Sequence, residues 1–400
     1  MTLTTPPGMS DAELPPLPDS VLPSGIRSRF VEGVNGLRMH VLEAGHETPN
    51  RPCVLLLHGF PELAFSWRKI LPALAQAGYH VVAPDQRGYG RTTGWDGAYD
   101  TDLSAFRMMN LVRDAVGLLF ALGYRHAACV IGHDFGSPVA AWCATVRPDI
   151  FRSVVLMSAP FGGPPALPFD TARAPASRAA PPVDLHAALA ALPRPRKHYQ
   201  WYYSSREADA DMRLAPQGMA NFLRAYYHVK SADWPANRPE SLKSWNAESL
   251  ALLPTYYVMD LNQDMAATVA PDMPDPSQVA ACAWLPDADL QVYAQEFART
   301  GFQGGLQWYR CSTSGRFHAE HQLYAGRTID VPSCFIAGGS DWGIHQKPGE
   351  FDAMRERNLT RMIECKIIEG AGHWVQQEQP HVVIDTLLRF LDEATRAVVS

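Results

Sequence analysis

The sequence predicts an α/β fold built on a mostly parallel eight-stranded sheet with helices on both faces. Short, continuous apolar runs, typical of buried parallel strands, alternate with helical segments along the chain. Crossovers of this strand–helix–strand type are right-handed, and they cover both faces of the sheet. The alternation stops near Phe161 and resumes near Val331. A helical insertion is therefore expected after the sixth strand.

Hydrophobic pattern and turn residues set the expected element boundaries. Asn35-Gly36, between two alternating segments, predicts a β-hairpin. The predicted strands are 29–34, 37–43, 53–57, 79–83, 128–131, 153–158, 331–337 and 362–368. The predicted helices next to them are 63–76, 101–122, 138–146 and 380–397.

The same pattern divides the chain into four segments. Residues 1–23 are a Pro-rich N-terminal extension, expected to lie extended over the surface or to be disordered. Residues 24–160 and 328–400 are the two parts of the α/β core. Residues 161–327 are expected to form a helical cap, or lid, domain.

Charge and composition exclude several classes of protein. A net charge of −6 with interspersed signs predicts no nucleic-acid partner. The N-terminal residues lack the basic and apolar regions of a signal peptide, and no apolar run is long enough to span a membrane. The seven cysteines are scattered without a C-x-x-C spacing, which predicts neither a disulfide framework nor a zinc site. We expect a soluble, cytoplasmic protein with no membrane insertion, no metal and no organic cofactor.

One segment joins a predicted strand to a predicted helix through a sharp turn that carries a carboxylate. In Gly132-His133-Asp134-Phe135-Gly136 the two glycines leave room for the turn and hold Asp134 at the carboxyl edge of the sheet. This is the geometry of a nucleophile elbow, where the central residue is usually serine. Taken alone, the segment could equally be a helix N-terminus capped by Asp134.

Two further polar residues follow strands later in the chain. Ligands of open α/β sheets bind outside the carboxyl ends of the strands. Asp341 follows the strand that ends near Ala337, and His373 follows the strand that ends near Glu369. Asp341 could instead be a turn residue, and His373 a structural histidine. The order nucleophile, acid, histidine, each just past its own strand, favours a catalytic triad.

The same architecture predicts an oxyanion hole and gives the other histidines structural roles. The backbone N–H groups of Phe60 and Phe135 are the expected oxyanion donors. His58 and His133 are interpreted as hydrogen-bonded turn residues. The segment His318-Ala319-Glu320-His321 lacks a metal-binding spacing and is interpreted as solvated.

Four motifs give the chain a family resemblance from about residue 29 onwards. They resemble motifs of the epoxide hydrolases with the α/β-hydrolase fold, and the first two are shared in part with haloalkane and fluoroacetate dehalogenases. In dehalogenases an indole N–H after the nucleophile helps to hold halide, whereas this chain has Phe135 there, which weakens that alternative. The motifs are His58-Gly59-Phe60-Pro61-Glu62, Gly132-His133-Asp134-Phe135-Gly136, Asp341-Trp342-Gly343 and Gly372-His373-Trp374.

The resemblance also implies two tyrosines that reach from the cap over the nucleophile. Tyr199 lies in the matching Tyr-Gln segment, and Tyr309 lies in the matching Trp-Tyr-Arg segment. Four other cap tyrosines are rivals for these positions: Tyr202, Tyr203, Tyr226 and Tyr227.

The activity that the resemblance implies is epoxide hydrolysis, with a small hydrophobic epoxide and water as substrates. Asp134 would form a covalent ester with a ring carbon while the two tyrosines protonate the ring oxygen. His373, oriented by Asp341, would activate the water that hydrolyses the ester and releases a vicinal diol. The alternatives are a haloalkane or haloacid dehalogenase with the same nucleophile, or a non-catalytic ligand-binding relative. The sequence leaves open whether the chain forms a homodimer.

Overall fold

A computed structural model describes residues 14–169 and 184–399 of the chain. Eight strands of these residues form one sheet in the order β1-β2-β4-β3-β5-β6-β9-β10, and β7 pairs with β8 separately. This confirms the predicted α/β-hydrolase architecture. The strands are β1 (Arg27–Val34), β2 (Leu37–Ala44), β3 (Cys53–Leu57), β4 (His80–Pro84), β5 (Cys129–His133), β6 (Val154–Met157), β7 (Arg196–His198), β8 (Val258–Asp260), β9 (Ser333–Gly338) and β10 (Met362–Ile368).

The sheet is parallel except at the edge formed by β1 and β2. The hairpin predicted at Asn35-Gly36 is present, and both turn residues have positive φ, 51° and 83°. Two-residue hairpin turns require this backbone conformation, because it matches the twist of the paired strands. Strand β2 continues antiparallel onto β4, and the remaining neighbours in the sheet pair in parallel.

The central strands are buried on both faces. Every residue of β3, β5 and β6 is buried, which explains why their sequences are continuous apolar runs rather than alternating ones. The described helices include those that cover the two faces of the sheet and those of the inserted region. They are α1 (Leu71–Gln76), α2 (Met108–Ala121), α3 (Gly136–Val146), α4 (Leu185–Ala190), α5 (Tyr199–Tyr203), α6 (Ala208–Arg213), α7 (Met219–Lys230), α8 (Ala247–Leu250), α9 (Met265–Val269), α10 (Pro276–Ala281), α11 (Asp287–Thr300), α12 (Gln303–Thr313), α13 (His318–Gln322), α14 (Glu350–Ala353), α15 (Val375–Glu378) and α16 (Pro380–Val399).

Two predicted helices are interrupted. The helix expected at 63–76 is a 3-10 turn, Ala64–Trp67, followed by α1, which begins with Pro72 in its first turn. Proline has no N–H for a helical hydrogen bond, so it starts a new helix rather than continuing one. The helix expected at 101–122 is likewise a 3-10 turn, Leu103–Phe106, then the extended residue Arg107, then α2.

The inserted region lies between β6 and β9, after the sixth strand of the sheet, as predicted. In its described residues, the regular structure is helical except for β7 and β8, a pair that the sequence pattern missed because each strand has only three residues. It packs tightly against the turn after β4. The indole N–H of Trp308 donates to the Arg87 carbonyl at 3.0 Å, and a Cβ on Gly304 would come within 2.1 Å of the Gly88 oxygen.

The described part of the N-terminal extension, residues 14–23, has no regular secondary structure apart from a short 3-10 turn, Asp19–Val21. Leu14 and Leu17 are buried against the core, and the Leu17 N–H donates to Ser28 Oγ at 2.8 Å. Residues 1–13 lie outside the described residues. Within the described ranges, no helix combines the length and apolar character needed to cross a membrane.

Candidate active site

The turn between β5 and α3 holds Asp134 in a strained left-handed conformation. Its φ is +51°, a region that costs free energy for any residue except glycine. The flanking glycines make the turn sterically feasible, because a Cβ on Gly132 would lie 2.0 Å from the Gly136 oxygen and a Cβ on Gly136 would lie 2.2 Å from the Leu57 oxygen. The chain therefore has the elbow geometry expected from its sequence.

The Asp134 carboxylate contacts the loop that follows β3. The Phe60 N–H donates to Asp134 Oδ1 at 2.8 Å. Gly59 allows this approach, since a Cβ there would lie 2.3 Å from Asp134 Cβ. Phe135, the other predicted oxyanion donor, lies just before the first residue of α3, but its N–H makes no hydrogen bond to Asp134 among the contacts of the described residues.

Asp134, His373 and Asp341 meet at the carboxyl edge of the sheet. His373 Nε2 lies 3.2 Å from Asp134 Oδ2, an ion-pair distance without the alignment of a hydrogen bond. On the other side of the ring, His373 Nδ1 donates to Asp341 at 3.1 Å to Oδ1 and 3.3 Å to Oδ2. Asp341 Oδ1 also accepts the Gly343 N–H at 2.7 Å. These contacts fix the orientation of the imidazole ring.

Burial and mutual charge shift the pKa values of these groups. Burial and the nearby Lys230 cation lower the pKa of His373, but the carboxylates of Asp341 and Asp134 outweigh them and raise it to about 9. Burial alone would raise the pKa of Asp134, yet its contact with His373 holds it well below the usual range. His373 likewise outweighs burial and lowers the pKa of Asp341. Both carboxylates are thus kept ionised around a charged imidazole.

The histidines of the two motif turns have structural partners. His133 Nδ1 contacts Glu62 Oε2 at 2.5 Å, and its Nε2 contacts the His373 carbonyl at 2.7 Å. His58 Nε2 accepts the Gln86 N–H at 3.1 Å. Both histidines therefore stabilise backbone turns through hydrogen bonds, as expected from the sequence. Glu62, whose pKa burial would raise, is held ionised by His133.

Tyr199 and Tyr309 line the same cavity as Asp134, with ring centroids 6.0 Å apart. Tyr309 packs edge-on against Phe60 and Phe135 at centroid distances of 5.4 and 5.1 Å. Burial first, and then the Asp134 charge, raise the pKa values of both phenols, so both keep their protons. The hydroxyls of the four rivals bond elsewhere: Tyr202 to Asp211, Tyr203 to Tyr226, Tyr226 with Lys230, and Tyr227 to the Pro61 carbonyl.

The cavity has a volume of about 440 Å³ and reaches from Asp134 between the sheet and the inserted region. Its wall is largely apolar and includes Met108, Phe135, Trp142 and Phe161. His318 and His321 also line it, and His321 stacks on Trp142 at 4.7 Å. The segment is partly solvated: His318 and Ala319 are exposed, whereas the packing of α13 brings His321 against α3.

Two side chains near the triad lie outside the motifs that the sequence shows. Lys230 is buried with its ammonium over the rings of Tyr226, Tyr257 and Trp374, at 5.2, 5.0 and 5.6 Å. Gln346 lines the cavity and accepts the Tyr199 hydroxyl proton at 3.0 Å. Neither residue lies in a recognisable motif, so their positions follow only from tertiary packing. In the described ranges, no group of three or more His, Cys, Asp or Glu side chains is placed to hold a metal ion.

The described residues around the cavity do not supply, next to the nucleophile, the indole donor that the dehalogenase alternative requires. Phe135 has no N–H on its side chain, and the Trp308 indole, which lines the cavity, already donates to the Arg87 carbonyl. Two phenols face the cavity instead. The arrangement provides proton donors for a developing alkoxide rather than indole donors for a halide.

Comparison with known proteins agrees with this geometry. Residues 52–380 match the profile of the α/β-hydrolase fold family. Epoxide hydrolase A of Mycobacterium tuberculosis is 35% identical over 357 residues, covering 89% of this chain and 95% of that protein. Epoxide hydrolase B of the same organism is 33% identical over 373 residues, covering 89% and 96%.

Solved structures give the same result. An epoxide hydrolase from an endophytic Streptomyces superposes with a TM-score of 0.72 at 32% identity, covering 92% of this chain and 96% of that one. Epoxide hydrolase A of Mycobacterium thermoresistibile superposes with a TM-score of 0.68 at 30% identity, covering 92% and 98%. With its sheet order and inserted region, this chain belongs to the epoxide hydrolases of the α/β-hydrolase fold.

Proposed function

We propose that this chain hydrolyses an epoxide to a vicinal diol through a covalent ester on Asp134. The observation that carries the proposal is the placing of one ionised carboxylate in a cavity with two protonated phenols and a triad histidine. A carboxylate is a weak nucleophile, so it suits a strained ring whose leaving oxygen stays attached to the product. Attack of the carboxylate on a ring carbon also needs a proton donor next to the ring oxygen.

In the first half-reaction, an oxygen of Asp134 attacks a ring carbon and the carbon–oxygen bond of the epoxide breaks. The electron pair of that bond remains on the ring oxygen, which takes a proton from Tyr309 or Tyr199. Burial and the Asp134 charge raise the pKa values of both phenols, so both hold their protons at neutral pH until alkoxide charge develops on the ring oxygen. The product of this half is a hydroxyalkyl ester of Asp134.

In the second half-reaction, His373 takes a proton from water, which attacks the ester carbon of Asp134. The ester carries no charge, so one of the two anions that raise the pKa of His373 is lost when it forms. The imidazole can then pass its proton to the phenolate left by the first half-reaction, which restores the tyrosine, and act as a base while Asp341 still orients it. The Phe60 N–H, which already reaches Asp134 Oδ1, is suited to stabilise the oxyanion together with the Phe135 N–H. The bond between the ester carbon and the alkyl oxygen then breaks, that oxygen takes the second proton of the attacking water, and release of the diol restores the Asp134 carboxylate.

The cavity supports an apolar substrate. Aromatic and aliphatic side chains form most of its wall, and its volume of about 440 Å³ lies in the range of sites that enclose small organic molecules. We propose that the inserted region acts as the cap, because it supplies Tyr199 and Tyr309. A cytoplasmic location is also proposed, since all seven cysteines are free.

The direct test is to incubate the purified protein with styrene oxide and to measure the diol by chromatography. We expect diol from the unaltered protein and none above the uncatalysed rate from Asp134→Asn in a fresh preparation. Release of halide from a haloalkane or haloacetate, without diol from any epoxide of a broad panel, would contradict the proposal.

A further inference from the structure

The two tyrosines that face Asp134 differ in the state of their hydroxyl groups. The Tyr199 hydroxyl donates to Gln346 Oε1 at 3.0 Å and accepts from Gln200 Nε2 at 3.3 Å. The Tyr309 hydroxyl has no hydrogen-bond partner among the described residues, and Tyr309 lines the cavity. One phenol proton is therefore already held by an acceptor, and the other is free for a ligand in the cavity.

Gln346 lies in the same loop as Asp341, the acid of the triad. Asp341 caps the short 3-10 helix Trp342–Ile344, and Gln346 follows two residues after that helix. Its side chain is half-buried and reaches across to Tyr199, which belongs to the inserted region. The contact thus joins the core to the inserted region inside the cavity.

The hydrogen bond from Gln200 to Tyr199 supports placing the oxygen of the Gln346 amide, rather than its nitrogen, next to the Tyr199 hydroxyl. Gln200 donates to the phenol oxygen, and the Tyr199 hydroxyl donates its one proton to an acceptor on its other side. Gln346 Oε1 is that acceptor. If Tyr199 is to donate to a bound epoxide, the bond to Gln346 must first break.

We propose that Gln346 is a positioning residue that withholds the Tyr199 proton, so that Tyr309 is the principal proton donor in epoxide opening. The proposal rests on the proposed epoxide hydrolase function. As Asp134 forms its bond to the ring carbon, the electron pair of the breaking carbon–oxygen bond receives the Tyr309 proton, and a Tyr309 phenolate remains. Tyr199 serves as an oriented secondary donor whose participation depends on releasing Gln346.

The test measures ester formation in a single turnover, by rapid quenching and intact-protein mass, in Tyr199→Phe and Tyr309→Phe. Each is made alone and combined with Gln346→Leu. With Gln346 present, we expect Tyr309→Phe to slow ester formation about 100-fold and Tyr199→Phe to slow it only about fivefold, the size of one modest hydrogen bond. When Gln346→Leu is also present, the Tyr199 proton is free. The ratio of the slowing caused by Tyr309→Phe to the slowing caused by Tyr199→Phe should therefore fall at least fivefold.

Three further variants distinguish a positioning role of Gln346 from general damage to the structure around the cavity. Gln346→Glu can only accept, so it should keep the original ratio. Gln346→Met repeats the loss of the acceptor in case Gln346→Leu folds poorly. Lys347→Met alters the adjacent cavity-lining side chain, which has no bond to Tyr199, and should leave the ratio unchanged.

A change in the ratio of less than fivefold in both Gln346→Leu and Gln346→Met would overturn the role of Gln346. This failure is distinct from failure of the proposed function. In the first case the unaltered protein still forms diol and the Asp134 ester, whereas in the second it forms neither.

Discussion

His373 Nε2 lies 3.2 Å from Asp134 Oδ2, so the proposed base and the proposed nucleophile are an ion pair before any ester forms. The pairing keeps Asp134 ionised and ready to attack, and it keeps His373 protonated. Formation of the ester removes the charge of Asp134 and with it much of the reason for His373 to hold its proton. The same contact therefore favours the nucleophile in the first half-reaction and releases the base in the second.

His373→Gln is expected to stop the reaction after the first half. Without a base, hydrolysis of the ester should slow by at least about 100-fold, and the intact protein should gain the mass of one epoxide. In the unaltered protein, a single turnover in heavy-oxygen water should place the label in the peptide that contains Asp134. Label in the diol alone, with unlabelled Asp134, would exclude the ester scheme.

The ion pair makes the stability of the protein depend on pH. The pKa of His373 is raised from 6.5 to about 9, so its contribution is fully present below pH 6.5 and is lost as the pH rises through 9. The pKa of Asp134 is lowered from 3.8, so its contribution is lost only as the pH falls below that value. The ion pair thus stabilises the fold between about pH 4 and pH 9.

We expect the free energy of unfolding to fall between pH 7 and pH 10, by about 1.4 kcal/mol for each unit by which the pKa of His373 is raised. Asp134→Asn removes one of the two anions, and its loss of stability over this range should be smaller. Urea unfolding at a series of pH values measures both proteins. Equal slopes for the two proteins would show that Asp134 does not raise the pKa of His373.

Lys230→Met is expected to shift the pH dependence of ester hydrolysis. The Lys230 cation lowers the pKa of His373, so removing its charge should raise that pKa and move the acid limb of single-turnover hydrolysis to higher pH. Lys230→Arg keeps the charge and is the matched control. An acid limb that is identical in both variants and the unaltered protein would show that Lys230 acts only through packing.

Gly136→Ala is expected to destabilise the elbow. The new methyl group would lie 2.2 Å from the Leu57 carbonyl oxygen, where only backbone movement can relieve the contact, and overpacking of this kind costs about 1–3 kcal/mol. Gly117→Ala is the matched control, because it lies in α2 with its nearest contact at 3.6 Å. Alanine there should stabilise the helix by up to about 1 kcal/mol. Equal midpoints of thermal unfolding for the two variants would contradict the argument.

The sequence by itself determined the sheet and the order of the site residues along the chain. Continuous apolar runs predict the buried strands, and Asn35-Gly36 predicts the hairpin. Two glycines around Asp134 predict the elbow. These are local patterns, since each depends on the conformation of a few consecutive residues. Family resemblance then singled out Tyr199 and Tyr309 from among the tyrosines of the inserted region.

Only the tertiary structure decided what surrounds those residues. The bond from Tyr199 to Gln346 spans 147 positions of the chain, and the rings around Lys230 come from the inserted region and from the loop of His373. No local pattern encodes such contacts, because they arise where the inserted region packs on the carboxyl edge of the sheet. For the same reason the pKa values that prepare Asp134 and His373 could not be read from the chain, since they depend on burial and on charges brought together by the fold.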